Sequence, residues 1–171
     1  MPDRAHARRW LGAAIALFAL AGPLQAQDEP WQEQAAPEAP PLKPEGLVPI
    51  DLIGSTLRFG VQPDSVSIGK DGVVRYVVVA TSSTGAINAM YEGVHCAGAK
   101  VKVYARYTPG AGWSPSKDAP WRPLQDNSAA RHSLAIARNG ACVGNGANSS
   151  PEQVLRDLGA PAHQRFRSEY R

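Results

Sequence analysis

The clearest pattern along the chain is the strict alternation of polar and apolar side chains over residues 100–107. A period of two predicts a β-strand. Two longer runs rich in β-branched residues precede it, and the dipeptide Asp71-Gly72 is typical of a tight hairpin turn. Short connections between the runs predict an antiparallel meander. In chain order, the expected strands are 57–61, 66–68, 73–80, 87–96 and 100–107.

The turn at 82–85 (Ser-Ser-Thr-Gly), taken as a four-residue loop, sets the expected register of the central strands. It pairs Thr81 with Ala86 and places Arg75 opposite Glu92, as a cross-strand ion pair. Side chains alternate between faces, so one face is expected to be the core and the other polar. The expected core face carries Val74, Tyr76, Val78, Ala80, Ile87, Ala89, Tyr91, Val101, Val103, Ala105 and Tyr107. The opposite face carries Arg75, Glu92, Cys96, Lys100, Lys102, Tyr104 and Arg106.

Two helices are expected after the sheet. The first runs from about residue 128 to 138, and Gly140 is a suitable stop. The second begins at 150–153 (Ser-Pro-Glu-Gln), where serine caps the helix and proline occupies its first position, and it runs to Leu158. The predicted fold is α+β, an antiparallel β-meander of about four to five strands with two C-terminal helices.

The start of the chain is typical of a secretory signal peptide. Arginines precede an apolar run of twelve residues, 10–21, and Ala26 provides a small residue for cleavage. The run is shorter than the ~20 residues that cross a bilayer, so no membrane span is expected after cleavage. We therefore expect an exported, periplasmic protein. Its parts would be a signal peptide (1–26), an acidic Pro-rich linker (27–54), one α+β domain (55–159) and a disordered tail (160–171).

The net charge of the chain gives little reason to expect binding to polyanions. The 171 residues carry a formal net charge of +3, with 43% hydrophobic and 19% charged residues. Residues 1–26 hold three of the 18 Lys and Arg and one of the 15 Asp and Glu, which leaves +1 for the remainder. Nucleic acid is therefore not an expected partner. The remaining charge is uneven, −5 over residues 27–57 and +6 from 58 onward, so the linker could either act as a spacer or dock on the domain.

The two cysteines, Cys96 and Cys142, are expected to form one disulfide, because export places them in an oxidising compartment. The alternative is a metal site formed by both cysteines with His95 and His132. Adjacent His95 and Cys96 would point to opposite sides of a strand, which makes joint ligation awkward. No cofactor is expected.

Candidate chemistry is sparse. The sequence has no serine-nucleophile elbow, zinc-protease motif or phosphate-binding glycine loop. The leading hypothesis is a non-catalytic binding or envelope-assembly module whose partner is an envelope protein or a small ligand. The alternatives are an envelope enzyme of hydrolase type, using Glu92 and His132, or a metal-binding protein. The candidate binding surface comprises Arg75, Glu92, Lys102, Tyr104, Arg106, Trp113 and Trp121.

Several segments resemble the cryptic neisserial protein-like family. They include 67–78 (Ser-Ile-Gly-Lys-Asp-Gly-Val-Val-Arg-Tyr-Val-Val), 85–88 (Gly-Ala-Ile-Asn) and 91–96 (Tyr-Glu-Gly-Val-His-Cys). The likeness extends over about residues 30–158, although Gly140-Ala141 and Val143 depart from the family's pattern around the second cysteine. The resemblance implies an exported proteobacterial protein of a family with no established activity, and it supplies no catalytic residues.

Overall fold

A large antiparallel sheet forms the centre of the computed structural model, which describes residues 30–125 and 131–161. Its strands are β1 (Val48–Ile50), β2 (Arg58–Val61), β3 (Ser67–Ile68), β4 (Val73–Thr81), β5 (Ile87–His95), β6 (Lys100–Thr108), β7 (Gly112–Pro115) and β8 (Arg122–Pro123). The main strand order is β1-β2-β4-β5-β6-β7, with β3 paired to β4 and β8 paired to β6. A separate two-stranded sheet joins β9 (Cys142–Val143) to β10 (Gly146–Ala147).

Two helices pack on one face of the sheet, which confirms the predicted α+β class. Helix α1 (Arg131–Ile136) continues into a π-helical segment, Ala137–Ala141, and α2 spans Pro151–Gly159. Ser150 caps α2 as predicted, because its hydroxyl accepts the amide hydrogen of Gln153 at 3.2 Å. Within the described ranges, neither helix has the length and apolar character needed to cross a membrane.

The strand count exceeds the predicted four to five because most of the additional strands hold only two to four residues. Elements that short show no readable alternation. The start expected for the first helix, residues 128–130, lies outside the described residues, as do the expected signal peptide (1–26) and residues 162–171 of the expected tail.

The predicted register of the central hairpin is wrong by one residue. Thr81 pairs with Ile87, and the intervening loop holds five residues, 82–86, rather than four. Ser82 closes this loop, accepting the Ala86 amide hydrogen on its hydroxyl at 3.0 Å and donating its own amide hydrogen to the Ala86 carbonyl at 2.9 Å. A one-residue shift moves every side chain of a strand to the other face of its partner.

This shift separates Arg75 from Glu92. Glu92 lies opposite Tyr76, whereas Arg75 lies opposite Gly93, so the two charged side chains occupy opposite faces of the sheet. The predicted Arg75–Glu92 ion pair is therefore wrong. Arg75 instead pairs with Asp71 at 2.7 Å, and both side chains are almost fully buried, with exposed fractions of 3% and 0%.

Both faces of the sheet are covered, so the expectation of one core face and one polar face is also wrong. On the helix side, the β4 residues Val74, Tyr76 and Val78 pack in one cluster with residues of the π-helical segment and α2. The reverse side holds a second cluster, formed by Val77, Val79, Ala89, Tyr91 and Ala105. A strand buried on both faces is continuously apolar, which explains the unbroken hydrophobic run in β4.

The second cluster is covered by the proline-rich segment 31–47, which we call the strap. Ala36, Ala39, Leu42 and Leu47 of the strap pack against it. The strap and β1 both fall within the segment 27–54 that the sequence marks as acidic and Pro-rich. Of the two arrangements that the sequence left open, the structure shows the docked one.

Hydrogen bonds to the strap backbone hold it in place. The indole Nε1 of Trp113 donates to the carbonyl oxygen of Pro40 at 2.8 Å. The side-chain amide of Gln62 donates to the carbonyl oxygen of Pro41 at 3.1 Å. In return, the backbone amide of Lys43 donates to Oε1 of Gln62 at 2.8 Å. Prolines have no amide hydrogen to offer, so the sheet binds this segment largely through its carbonyl groups.

The disulfide between Cys96 and Cys142 joins the end of β5 to β9. The two sulfur atoms lie at bonding distance, 2.00 Å, and the Cα atoms are 5.7 Å apart. The bridge therefore ties the segment after α1 to the sheet, as predicted.

Candidate functional site

A buried carboxylate lies between the sheet and helix α1. Glu92 of β5 accepts hydrogen bonds from Nε2 of His132 at 3.0 Å and from the hydroxyls of Ser133 at 2.8 Å and Tyr76 at 3.2 Å. The register of the hairpin places Tyr76 directly opposite Glu92. His132 and Ser133 are consecutive residues of α1, the helix on this side of the sheet. We call these four residues the Glu92 cluster.

The Glu92 cluster is buried and closely packed. Glu92 is only 2% exposed, and the ring of His132 is held on its other side by Phe59, stacked at a centroid distance of 5.1 Å and an interplanar angle of 7°. Burial, reinforced by the negative charge of Glu92, raises the pKa of Tyr76 well above its ordinary value. Tyr76 therefore remains a neutral hydrogen-bond donor to Glu92 at physiological pH.

The Glu92 cluster opens into a cavity of about 400 Å³. Glu92 and Ser133 line it, and so do the segment 116–120 and both residues of β8. Three cationic side chains also line it, Arg106, Lys117 and Arg122, as does Asp118. The cavity thus combines a buried acid with an excess of positive charge.

Most residues of the predicted binding surface do not line this cavity. Lys102, Tyr104 and Trp121 all bind Glu33 of the strap, at N–O or O–O distances of 2.9 Å each. Lys102 lies opposite Gly93, and a β-bulge between the Glu92–Val103 and Tyr91–Ala105 pairs leaves Tyr104 as the extra residue of β6. The strap itself therefore occupies this part of the surface.

Arg75 and Trp113 are likewise engaged by the strap. The guanidinium of Arg75 donates to the carbonyl oxygen of Gln34 at 3.1 Å as well as to Asp71, and Trp113 binds Pro40 as described above. Trp113 and Trp121 do not stack on each other. Trp113 meets Tyr107 edge-on. Of the seven residues that the sequence grouped on one surface, only Glu92 and Arg106 reach the cavity.

Sequence reasoning missed Tyr76, Ser133, Lys117 and Arg122 as site residues. Ser133 could have been found, because it follows His132 on a predicted helix. The predicted register places Tyr76 on the core face, away from Glu92, because the predicted loop is one residue too short. The two cations lie in an irregular segment and a two-residue strand, which carry no periodic signal.

The alternative metal set of His95, Cys96, His132 and Cys142 is not assembled. Both cysteine sulfurs are bonded to each other, His95 stacks on Trp31 at 4.0 Å, and His132 contacts Glu92. Among residues 30–125 and 131–161, no group of three or more His, Cys, Asp or Glu side chains could hold a metal ion.

Comparison with known proteins gives one match. The model of the CNP1-like family matches residues 26–159, which includes the strap, the sheet and both helices. No curated protein and no solved structure matches the chain.

Proposed function

The chain belongs to the CNP1-like family, and we propose a function for it from the cavity itself. The protein is a periplasmic binding module, and its cavity takes a small ligand that carries an anionic group. The observation behind this proposal is the combination of Glu92 and Ser133 with Arg106, Lys117 and Arg122 around one cavity.

The size and charge of the cavity both support this function. Small-molecule sites in proteins usually span ~300–1,000 Å³, and this cavity of about 400 Å³ falls at the compact end of that range. Among the described residues, the side chains of Arg106, Lys117 and Arg122 form no ion pair. An anionic group on the ligand would provide the negatively charged partner that these cations do not have among the described residues.

Export is supported by the signal-like start of the chain and by the disulfide. Structural disulfides persist mainly in oxidising compartments such as the bacterial periplasm. Fractionation of a Gram-negative host, followed by intact-mass measurement, tests this part. The expected product is a periplasmic chain that begins at Gln27, and a cytoplasmic chain of full length would contradict it.

Ligand binding is tested by thermal unfolding in the presence of small carboxylates, phosphates and sulfates. A ligand that binds only the folded state raises Tm. We expect at least one of these anions to stabilise the wild type and to stabilise Arg106→Ala less. The matched control is Arg58→Ala, which removes an exposed arginine of β2 outside the cavity. An equal loss in both variants would show a general charge effect rather than a site.

A second candidate function is hydrolysis, because Ser133 contacts a buried acid on the cavity wall. Its hydroxyl lies 2.8 Å from Oε2 of Glu92, whose other oxygen contacts His132. A nucleophile beside a base that is oriented by a third group is the arrangement of covalent catalysis. Hydrolysis of p-nitrophenyl esters by wild type but not by Ser133→Ala would support this function. Equal rates for the two proteins would exclude Ser133 as a nucleophile towards these esters.

A further inference from the structure

We propose that the cavity selects a small dipolar ligand, with an ammonium group bound by Glu92 and Ser133 and a carboxylate bound by Arg106 and Arg122. This inference rests on the proposed binding function and names the class of ligand, of which free amino acids and short peptides are the simplest members. It follows from the charges and hydrogen-bonding capacity that the protein leaves unmatched around the cavity.

The first step concerns the partners of Glu92. These are two hydroxyl groups and the imidazole of His132 at 3.0 Å, and within the described ranges no Lys or Arg pairs with Glu92. The lining cations, Arg106 among them, likewise have no acidic partner there. An acidic side chain held by neutral hydroxyls and an imidazole therefore lines the same cavity as cations without an acidic partner, an arrangement that suits a ligand with an ammonium at one end and an anion at the other.

The second step concerns hydrogen-bonding capacity. A carboxylate offers about four acceptor positions, and three donors already bind Glu92: two hydroxyls at Oε2 and the His132 ring at Oε1. One position remains, on Oε1. The hydroxyl of Ser133 donates its hydrogen to Glu92, so the hydroxyl oxygen can still accept a hydrogen bond from a ligand in the cavity. Both remaining groups are acceptors, and an ammonium group carries three donors.

The third step concerns the opposite end of the ligand. Arg122 of β8 lies opposite Val101 of β6, five residues along that strand from Arg106, and both arginines line the cavity. A guanidinium group binds a planar carboxylate through two parallel hydrogen bonds, a geometry that a single ammonium cannot provide. A carboxylate is thus the anionic group that these arginines fit best.

A matched set of three probes tests the inference on the mature, disulfide-bonded chain. Diglycine carries both charges, N-acetyldiglycine lacks the ammonium, and glycylglycinamide lacks the carboxylate. We expect diglycine to bind about tenfold more tightly than either blocked peptide, since each blocked end loses a charge-assisted hydrogen bond. Isothermal titration calorimetry measures the three affinities directly and needs no variant.

Variants then assign each end of the ligand. Glu92→Gln should reduce the preference for diglycine over N-acetyldiglycine, and Ser133→Ala provides a second, smaller change at the same end should the glutamine variant fold poorly. Arg106→Ala should reduce the preference for diglycine over glycylglycinamide. Arg58→Ala is the control and should preserve both preferences.

The outcomes separate this inference from the function on which it rests. If N-acetyldiglycine binds as tightly as diglycine, and Arg106→Ala weakens both, the cavity binds anions but the ammonium site is wrong. If diglycine binds equally well to wild type and to Arg106→Ala, the carboxylate site is wrong. If neither the peptides nor any simple anion binds, the proposed binding function fails as well.

Discussion

Glu33 is the side chain that fastens the strap to the sheet most specifically, so its substitution provides the sharpest test of the docked arrangement. Its carboxylate accepts three hydrogen bonds of 2.9 Å, from Lys102, Tyr104 and Trp121. With an exposed fraction of 22%, it is neither a surface ion pair nor a fully buried one. Glu33→Gln keeps the shape and removes the charge, and Glu38→Gln is the control, an exposed glutamate of the same strap.

The expected loss follows from these contacts. A hydrogen bond to a charged group contributes roughly 1.5–3 kcal/mol when buried, whereas an exposed ion pair contributes about 0–1 kcal/mol. For three such bonds at a partly exposed site, we expect Glu33→Gln to lower the free energy of unfolding by about 2 kcal/mol. For a unit of this size that corresponds to a decrease in Tm of roughly 6–8 °C. Glu38→Gln should change the free energy of unfolding by less than about 0.5 kcal/mol.

The pH dependence of this loss has a definite sign. Partial burial raises the pKa of Glu33, but hydrogen bonds from Lys102, Trp121 and Tyr104 outweigh it, so the pKa lies below its ordinary value of 4.5. A lowered pKa stabilises the folded state above pH 4.5, and that contribution disappears as the pH falls through the folded-state value. The difference in stability between wild type and Glu33→Gln should therefore be largest near neutral pH and shrink in acid.

Chemical denaturation gives the free energies, and hydrogen exchange locates the effect. The amide of Gln34 donates to Oδ2 of Asp71, and the amide of Lys43 donates to Gln62, so both should exchange faster in Glu33→Gln. If Glu33→Gln proves as stable as Glu38→Gln and protects these two amides as well as wild type does, Glu33 does not hold the strap.

Three further variants test other parts of the fold, each by chemical denaturation. Asp71→Asn removes one partner of a buried ion pair and should destabilise the protein by about 3–5 kcal/mol; a loss below about 1 kcal/mol would contradict burial of the pair. Replacing Cys96 and Cys142 together by alanine opens a loop with a sequence separation of 46 and should cost about 4 kcal/mol, whereas unchanged stability would contradict the bridge. In Gly140→Ala the new Cβ would lie 2.6 Å from Cγ of Leu158, so we expect a loss of about 1–3 kcal/mol, and a stabilised variant would refute this packing.

Much of the framework could be predicted from the sequence. The three long strands were recognised from their runs of alternating or β-branched residues, and α2 from its capping sequence at 150–153. The Cys96–Cys142 bridge followed from the cysteine count and the expected compartment. These features depend on local chemistry, which a single sequence displays directly.

The strap illustrates what local chemistry leaves open. Six prolines between residues 30 and 49 indicate an extended segment, but they do not show whether it docks. Docking depends on donors that the fold brings from distant positions, such as Trp113, which lies 73 residues from Pro40. The alanines that contact the sheet also contribute too little hydrophobicity to mark a buried segment.

The length of the loop after β4 decides on which face of the sheet Glu92 lies, and a difference of one residue changes that face. With a four-residue loop Glu92 joins Arg75 on the strap side, and with the observed five-residue loop it joins Tyr76 beneath α1. Hydrophobic patterning could not distinguish the two registers, because β4 is buried on both faces and accepts either partner face. The consequence is functional as well as structural. The strap side is occupied by the chain's own Glu33, whereas on the helix side Glu92 lines a cavity that cationic side chains also line. A ligand is therefore to be sought on the helix side.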